Sequence, residues 1–504
     1  MAGTGCALVA FRAARVDDEV RDLMADPRVA GVTLYRSLNI ENARQTRQLT
    51  ADLVAAAGRS LLVAVDQEGG QLLGAGPDTT PFAGNMALGA VGDPGLAGEV
   101  AGAIGRELRA IGANVDYAPV ADVASRPSNP SLGIRSFGED PAAVGALVGA
   151  FVTGLQQEGV AATLKHFPGK GEADVDPHDR LPVLDLDRDR LDRVEFAPFR
   201  AGIEAGAKLV MVGHYGLPAI TGDRHLPTSV SAAVLGGLLR ERLGFSGLIV
   251  TDALDMGGFA GMPAEAPLEA GADLLLYGPR QAGSLPSSNG EPSRRLPDLL
   301  HWLAGFPVPD LSVVGCADHR RLAAELAGRS ITLVRDTPGM IPIHPPERSK
   351  ILAIMPRPID LTPADTSSLT APGLAPAIQS RHRNTSEMVV RHDPPDSEIA
   401  IAARQAMDHD LVVVGTIDAG PAQAALVRAL LGTGVPTVTV ALRTPYDLAR
   451  YPMAPVHLCS YGILPPTMDA LAAAVFGAAI GGRLPVAIPD LYPIGHGLNR
   501  DERA

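Results

Sequence analysis

A chain of 504 residues, 46% hydrophobic and 20% charged, is too long for one ordinary core and too apolar to be disordered. Its net charge of −13 excludes the basic stripe a nucleic-acid partner needs, and no run of about 18 apolar residues offers a membrane span. Three cysteines, Cys6, Cys316 and Cys459, are odd in number, far apart and in apolar, strand-like surroundings, which predicts buried thiols instead of a disulfide frame or metal site.

The opening stretch MAGTGCALVAFRAARVDDEV meets an arginine and two aspartates before any apolar leader core develops, so a cytoplasmic location is expected. Short apolar runs then recur, each followed by Gly, Pro or polar residues and a helix-like stretch. They are Ala7–Phe11, Val32–Tyr35, Leu61–Val65, Asn114–Pro119, Val160–Leu164, Lys208–Val212, Leu248–Thr251 and Asp273–Tyr277. Continuous apolar strands are buried on both faces, and this alternation with helices predicts a (β/α)8 TIM-like barrel over residues 1–310. A doubly wound sheet alternates similarly but seldom places polar chemistry at so many strand ends. Here the runs end in Asp66-Gln67-Glu68, Asp116, Lys165-His166, His214 and Asp252.

Ser229–Asp252 shows how the chain delivers one of these residues. Ser229 or Ser231 can cap a helix whose Val234, Leu235, Leu238 and Leu239 form one stripe, Gly244 can end it, and Leu248–Thr251 follow as a strand. Asp252 then stands at a strand's C-terminal end, where barrel enzymes build their sites. From Arg280 to Arg295 the chain turns polar and Pro/Gly/Ser-rich, and residues 311–330 are expected to link the barrel to a C-terminal α/β sandwich domain over 331–504. Its expected strands are Ile331–Val334, Ile351–Met355, Leu411–Gly415, Thr437–Leu442 and His457–Tyr461, with Ser380–Pro395 as a polar surface excursion.

The densest chemistry lies in Gly159–Leu184 (GVAATLKHFPGKGEADVDPHDRLPVL), where Lys165, His166, Lys170, Asp174, Asp176 and His178 follow a strand. A solvated surface loop or a metal site would also use such residues, although no second His or Cys arrives at zinc-ligand spacing. One Trp and eight Tyr supply no platform for a long polysaccharide, which favours a pocket for a small sugar.

This block resembles the KHFPGHG…DSHxxLP signature of the β-N-acetylglucosaminidases of glycoside hydrolase family 3. Asp66–Gly70 (DQEGG), Asn129–Pro141 (NPSLGIRSFGEDP) and Leu248–Met256 (LIVTDALDM) resemble three further motifs of that family, in order, and Gly482–Leu498 resembles the close of its sandwich domain. The resemblance implies a retaining exo-acting hydrolase of terminal β-linked N-acetylglucosamine, from muropeptide fragments or chitin-derived disaccharides. Asp252 would be the nucleophile, His178 the acid/base and Asp176 its orienting partner. Asp66, Arg135, Lys165, His166 and His214 would line the sugar subsite. No metal, organic cofactor, nucleic acid or membrane partner is implied, and the oligomeric state is left open.

The roles suit the residue types. A carboxylate can form a glycosyl ester that water later cleaves, and a histidine titrating near neutrality can give and then take a proton. For Asp66, Glu68 and Asp116 capping or a rim ion pair is the competing reading. Two departures stand out: Lys170 replaces the second His of PGHG, and Gly74 replaces an expected Arg. Three alternatives stay open, namely phosphate in place of water as acceptor, a β-glucosidase, and a sugar-binding member without catalysis. The second domain is assigned packing or scaffold duty.

Overall fold

The computed structural model describes residues 6–287 and 293–501; within the polar Arg280–Arg295 stretch, residues 288–292 lie outside the described residues. Among these, eight parallel strands close into a barrel: β1 Ala7–Val9, β2 Val29–Thr33, β3 Leu62–Val65, β4 Val115–Asp116, β5 Ala161–Phe167, β6 Leu209–Val212, β7 Leu248–Ala253 and β8 Leu274–Leu276. β1 closes the ring by pairing with both β8 (Ala7↔Leu275) and β2 (Leu8↔Gly31). Leu62 and Ala64 of β3 point into the barrel with Leu8, Val115, Leu209 and Leu248, while Val63 and Val65 pack outward under the helices. Burial on both faces is why these strands read as unbroken apolar runs.

Two strands differ from expectation. β2 starts at Val29, three residues before the predicted run, because Gly31 interrupts the apolar pattern in the sequence. That glycine abuts Leu62, whose carbonyl a Cβ would overlap. β5 continues through Phe167, so Lys165 and His166 belong to the strand itself. The outer helices Pro94–Ala110 and Pro141–Gln157 each begin at an aspartate, Asp93 and Asp140, which accepts two backbone N–H groups, with proline at the first helical position. Before β7, the stripe Val234, Leu235, Leu238 and Leu239 is buried on a helix of wide, π-type turns over Ala233–Arg242, and Gly244 (φ +70°) follows it.

The segment expected as a linker carries a short turn at Leu311–Val313 and the helix Ala317–Ser330. Beyond it stands a mixed sheet of β9 Thr332–Asp336, β10 Ile351–Pro356, β11 Thr385–Val390, β12 Leu411–Thr416, β13 Thr437–Ala441 and β14 Val456–Cys459, in the order β9-β14-β13-β12-β10-β11. All neighbours are parallel except β9 and β14. The polar stretch Ser380–Pro395 therefore holds a strand. β11 lies at the sheet edge with Ser386 and Glu387 exposed, which explains why its sequence lacks an apolar run. Cys6 and Cys459 are buried free thiols, whereas Cys316 is only half-buried, at the start of helix Ala317–Ser330. Among the described residues no helix is long and apolar enough to cross a membrane.

Candidate active site

The C-terminal strand ends open on a cavity of about 570 Å³, within the range of about 300–1,000 Å³ common to small-molecule sites. Tyr117, Met211 and Leu276 give it an apolar floor. Asp66, Arg135, Lys165, His166 and Asp252 form a polar wall, and Lys170 and His178 arrive on the loop after β5.

Glu68 organises the cations from behind. Arg135 donates from Nη2 to Glu68 Oε1 at 2.7 Å and from Nε to Oε2 at 2.9 Å, and Lys165 Nζ lies 2.7 Å from Glu68 Oε1 and 2.6 Å from Asp66 Oδ1. Burial pushes the Glu68 carboxyl up, but the two cations outweigh it and hold it well below the usual carboxylate range. A buried charge is tolerated when its bonds are complete, and here it fixes two donors that face the cavity. Glu68 itself stands outside the lining, while Asp66 remains in it as an acceptor. Asp116 is fully buried, accepts the Gln67 N–H at 2.9 Å, and also lies outside the lining.

His166 is set by Asp122, a residue that the motifs did not single out. Its Nδ1 lies 2.8 Å from Asp122 Oδ2, and Asp122 Oδ1 accepts the backbone N–H groups of His166 and Lys170. With Nδ1–H donated, Nε2 is the acceptor toward Arg135 Nη2 at 3.3 Å. Burial, reinforced by Lys170 and Arg135, holds His166 well below its ordinary value and therefore neutral. A buried acid inside the apolar run Ala118–Ala124 was the available signal.

Asp252 is the penultimate residue of β7, and its Oδ1 accepts the Ala253 N–H at 2.8 Å. Burial raises its carboxyl, but His166, His214, His178 and that amide more than offset the rise. Because burial keeps His166 and His214 neutral near pH 7, the amide is an offset that persists there.

Also lining the cavity, His178 has Nδ1 2.7 Å from Asp176 Oδ1, which also accepts the His178 N–H at 2.9 Å. Burial raises Asp176, yet these two bonds and the ring's charge bring it down to about 2. The pair leaves Nε2 as the ring nitrogen available to the cavity. The loop is pinned to the exit of β7: Gly257 N–H donates to His178 O at 3.0 Å and Gly258 N–H to Pro177 O at 2.9 Å. A Cβ at Gly257 would overlap the Asp179 carbonyl oxygen.

His214 stands apart from its expected place at the sugar. It is fully buried outside the cavity lining, with Nδ1 2.7 Å from Ser229 Oγ and Nε2 3.2 Å from Ala253 O, behind the strand end that carries Asp252. Lys170 lines the cavity although only 1% exposed, and burial and Arg135 lower its ammonium to about 8. Gly74 also lines it, its N–H bonded to Asp66 O at 2.8 Å. The second domain does more than pack, since Asp360, Ala364, Thr366, Ser368 and Leu369 complete the cavity wall. No sequence signal marked that loop.

Comparison with known proteins places this geometry. Residues 5–288 match the glycosyl hydrolase family 3 N-terminal domain. The chain is 30% identical to the beta-hexosaminidase A of Pseudoalteromonas piscicida, over 93% of this chain and 91% of that one. It is 31% identical to a beta-N-acetylglucosaminidase/beta-glucosidase of Cellulomonas fimi, over 92% and 91%. A solved family 3 beta-N-acetylglucosaminidase from Paenibacillus sp. str. FPU-7 superposes with a TM-score of 0.87 at 32% identity, covering 96% of this chain and 97% of that one. A closed barrel with a charged cavity at its C-terminal face, joined to a second sheet domain along nearly the full length of such relatives, has one reading: the chain is a glycosidase belonging to glycosyl hydrolase family 3.

Proposed function

We propose that the protein is a retaining exo-β-N-acetylglucosaminidase that hydrolyses terminal β-linked N-acetylglucosamine from small glycans. The observation that carries this reading is the opening of Asp252 and of the His178 ring, braced by Asp176, onto one cavity. Asp252 attacks the anomeric carbon as His178 Nε2 protonates the departing oxygen. The enzyme is then esterified through Asp252, and His178, now neutral, takes a proton from water as that water attacks the same carbon. Two inversions give net retention. Asp176 holds one imidazole orientation through both steps. Arg135 and Lys165, locked by Glu68, supply charge-assisted donors for sugar hydroxyls, with Asp66 as an acceptor. The closed floor suits a chain end over an internal linkage.

The choice of sugar leans on the names borne by the relatives, and the Cellulomonas fimi name supports β-glucoside cleavage as a second reading. Chromogenic N-acetyl-β-glucosaminide and β-glucoside, assayed side by side, separate them. Wild type is expected to favour the former and to release free sugar when phosphate is present. Asp252→Asn should lower kcat/KM by about 10⁴-fold or more. Faster glucoside turnover, sugar 1-phosphate as main product, or an Asp252→Asn variant retaining a tenth of the activity would each overturn its part of the proposal.

A further inference from the structure

Arg443 lies two residues beyond β13, 2% exposed, with its guanidinium directed at three separate chain segments. Nη1 donates to Asp365 Oδ2 at 2.7 Å, Nη2 donates to Gln71 Oε1, and Nε lies 3.4 Å from Asp418 Oδ2. Gln71 is the turn of the barrel hairpin formed by Gln67–Gly69 and Leu72–Leu73, which follows Asp66. Asp365 lies in the second-domain loop that walls the cavity, and its carboxylate also accepts the N–H groups of Leu361 and Ser367.

Hairpin and loop are stitched together around this point. Gln71 O accepts the N–H and the hydroxyl of Thr366 at 2.8 and 2.9 Å, Leu73 N–H donates back to Thr366 Oγ1 at 3.2 Å, and Gln71 Nε2 donates to Ala364 O at 3.2 Å. The planar guanidinium suits this junction, since its donors point in fixed, divergent directions and one group serves several acceptors. The loop sits on the hairpin, above the strand ends, and reaches the cavity mouth, where Leu369 is 57% exposed. Asp252 lies at a strand end within the cavity, and the exposed Leu369 stands where the cavity meets solvent, the side on which an exo-acting site releases its leaving group.

Resting on the glycosidase mechanism proposed above, we infer that Arg443 is a positioning residue for the leaving-group side of the cavity. It holds the second-domain loop and the Gln71 hairpin as one wall, so that the second domain governs which aglycone is accepted while the barrel governs the glycone. Loss of the tie frees a loop that carries one side of the aglycone contact and leaves the barrel-borne glycone contacts in place.

The test compares wild type with Arg443→Met and Leu369→Ala, measuring KM and kcat for N,N′-diacetylchitobiose and the inhibition constant of free N-acetylglucosamine, which occupies the glycone space alone. Arg443→Met is expected to raise the disaccharide KM about tenfold, with the monosaccharide constant changing less than about twofold. Leu369→Ala, at an exposed position, should raise the same KM about threefold with an unchanged Tm. If Arg443→Met does not fold, Leu369→Ala decides: an unmoved KM overturns the inference. A monosaccharide constant rising in parallel with KM overturns it too, because the wall would then position the glycone. Should wild type prefer glucosides, cellobiose and glucose replace the pair, so that failure of the sugar assignment does not decide the inference.

Discussion

Lys170 is where the chemistry of this cavity departs furthest from the family motif. An ammonium that is 1% exposed loses hydration; burial and Arg135 lower it to about 8, against the opposing pull of Asp122, Asp176 and Asp252. Linkage sets the sign. Between about pH 8 and the ordinary lysine value of 10.5 the unfolded chain binds the extra proton, so stability rises with pH across that window. Below it the buried charge costs a few kcal/mol. Lys170→Met should therefore raise Tm at pH 7 by several degrees, and the advantage should shrink by pH 10; thermal unfolding at the two pH values checks this. Asp176 behaves oppositely. Its lowered carboxyl contributes stability that is present above the ordinary 3.8 and lost as pH falls through about 2, so the bond that orients His178 persists in mild acid.

At the level of elements, the site is a meeting of two segments that leave neighbouring regions of the barrel rim: the loop after β5 and the exit of β7. Their contact consists of two backbone hydrogen bonds at Gly257 and Gly258, and the approach is so close that a methyl group would strike the Asp179 carbonyl. Gly257→Ala should push the Pro177–Asp179 segment away and tilt the imidazole off the leaving oxygen. A displacement near 1 Å is enough to cost about 10²-fold, so kcat/KM should fall roughly that far while the barrel stays folded. Kinetics with circular dichroism on the same preparation would check both halves. A loss confined to stability, with activity per folded molecule unchanged, would show that this contact does not set the imidazole.

Across the whole molecule the two domains are joined by buried polar ties as well as by apolar packing. Glu107, on helix Pro94–Ala110, is 2% exposed and takes hydrogen bonds from Thr80 N–H and hydroxyl, from Gly315 N–H at 3.0 Å and from His319 Nδ1 at 2.7 Å. It thereby fastens the segment ahead of the second domain to the barrel. Glu107→Ala leaves these donors without a partner, a change of about 3–5 kcal/mol by analogy with broken buried pairs. Trp302, the single tryptophan, sits on the last barrel helix Leu296–Ala304, so its fluorescence follows the barrel while far-UV circular dichroism follows the whole chain. Urea transitions by the two probes should coincide in wild type and separate in Glu107→Ala.

The barrel was legible because its strands are buried on both faces, and eight apolar runs followed by breakers carry that condition in local sequence. The placement of Asp252, Lys165 and His166 at strand ends followed from the same periodicity. Edge strand β11 escaped, since a half-exposed strand needs no apolar run, and β2 was misplaced by a glycine chosen for contact with Leu62. The site was legible as a list of reactive residues but not as an arrangement. His166 and His214 are both buried, yet only His166 faces the cavity, and no local pattern encodes that difference. Asp122, Gln71, Asp365 and Arg443 act through partners 44 to 372 positions away along the chain. Their roles arise only when folding removes water and brings separate segments within hydrogen-bonding distance, which tertiary structure decides.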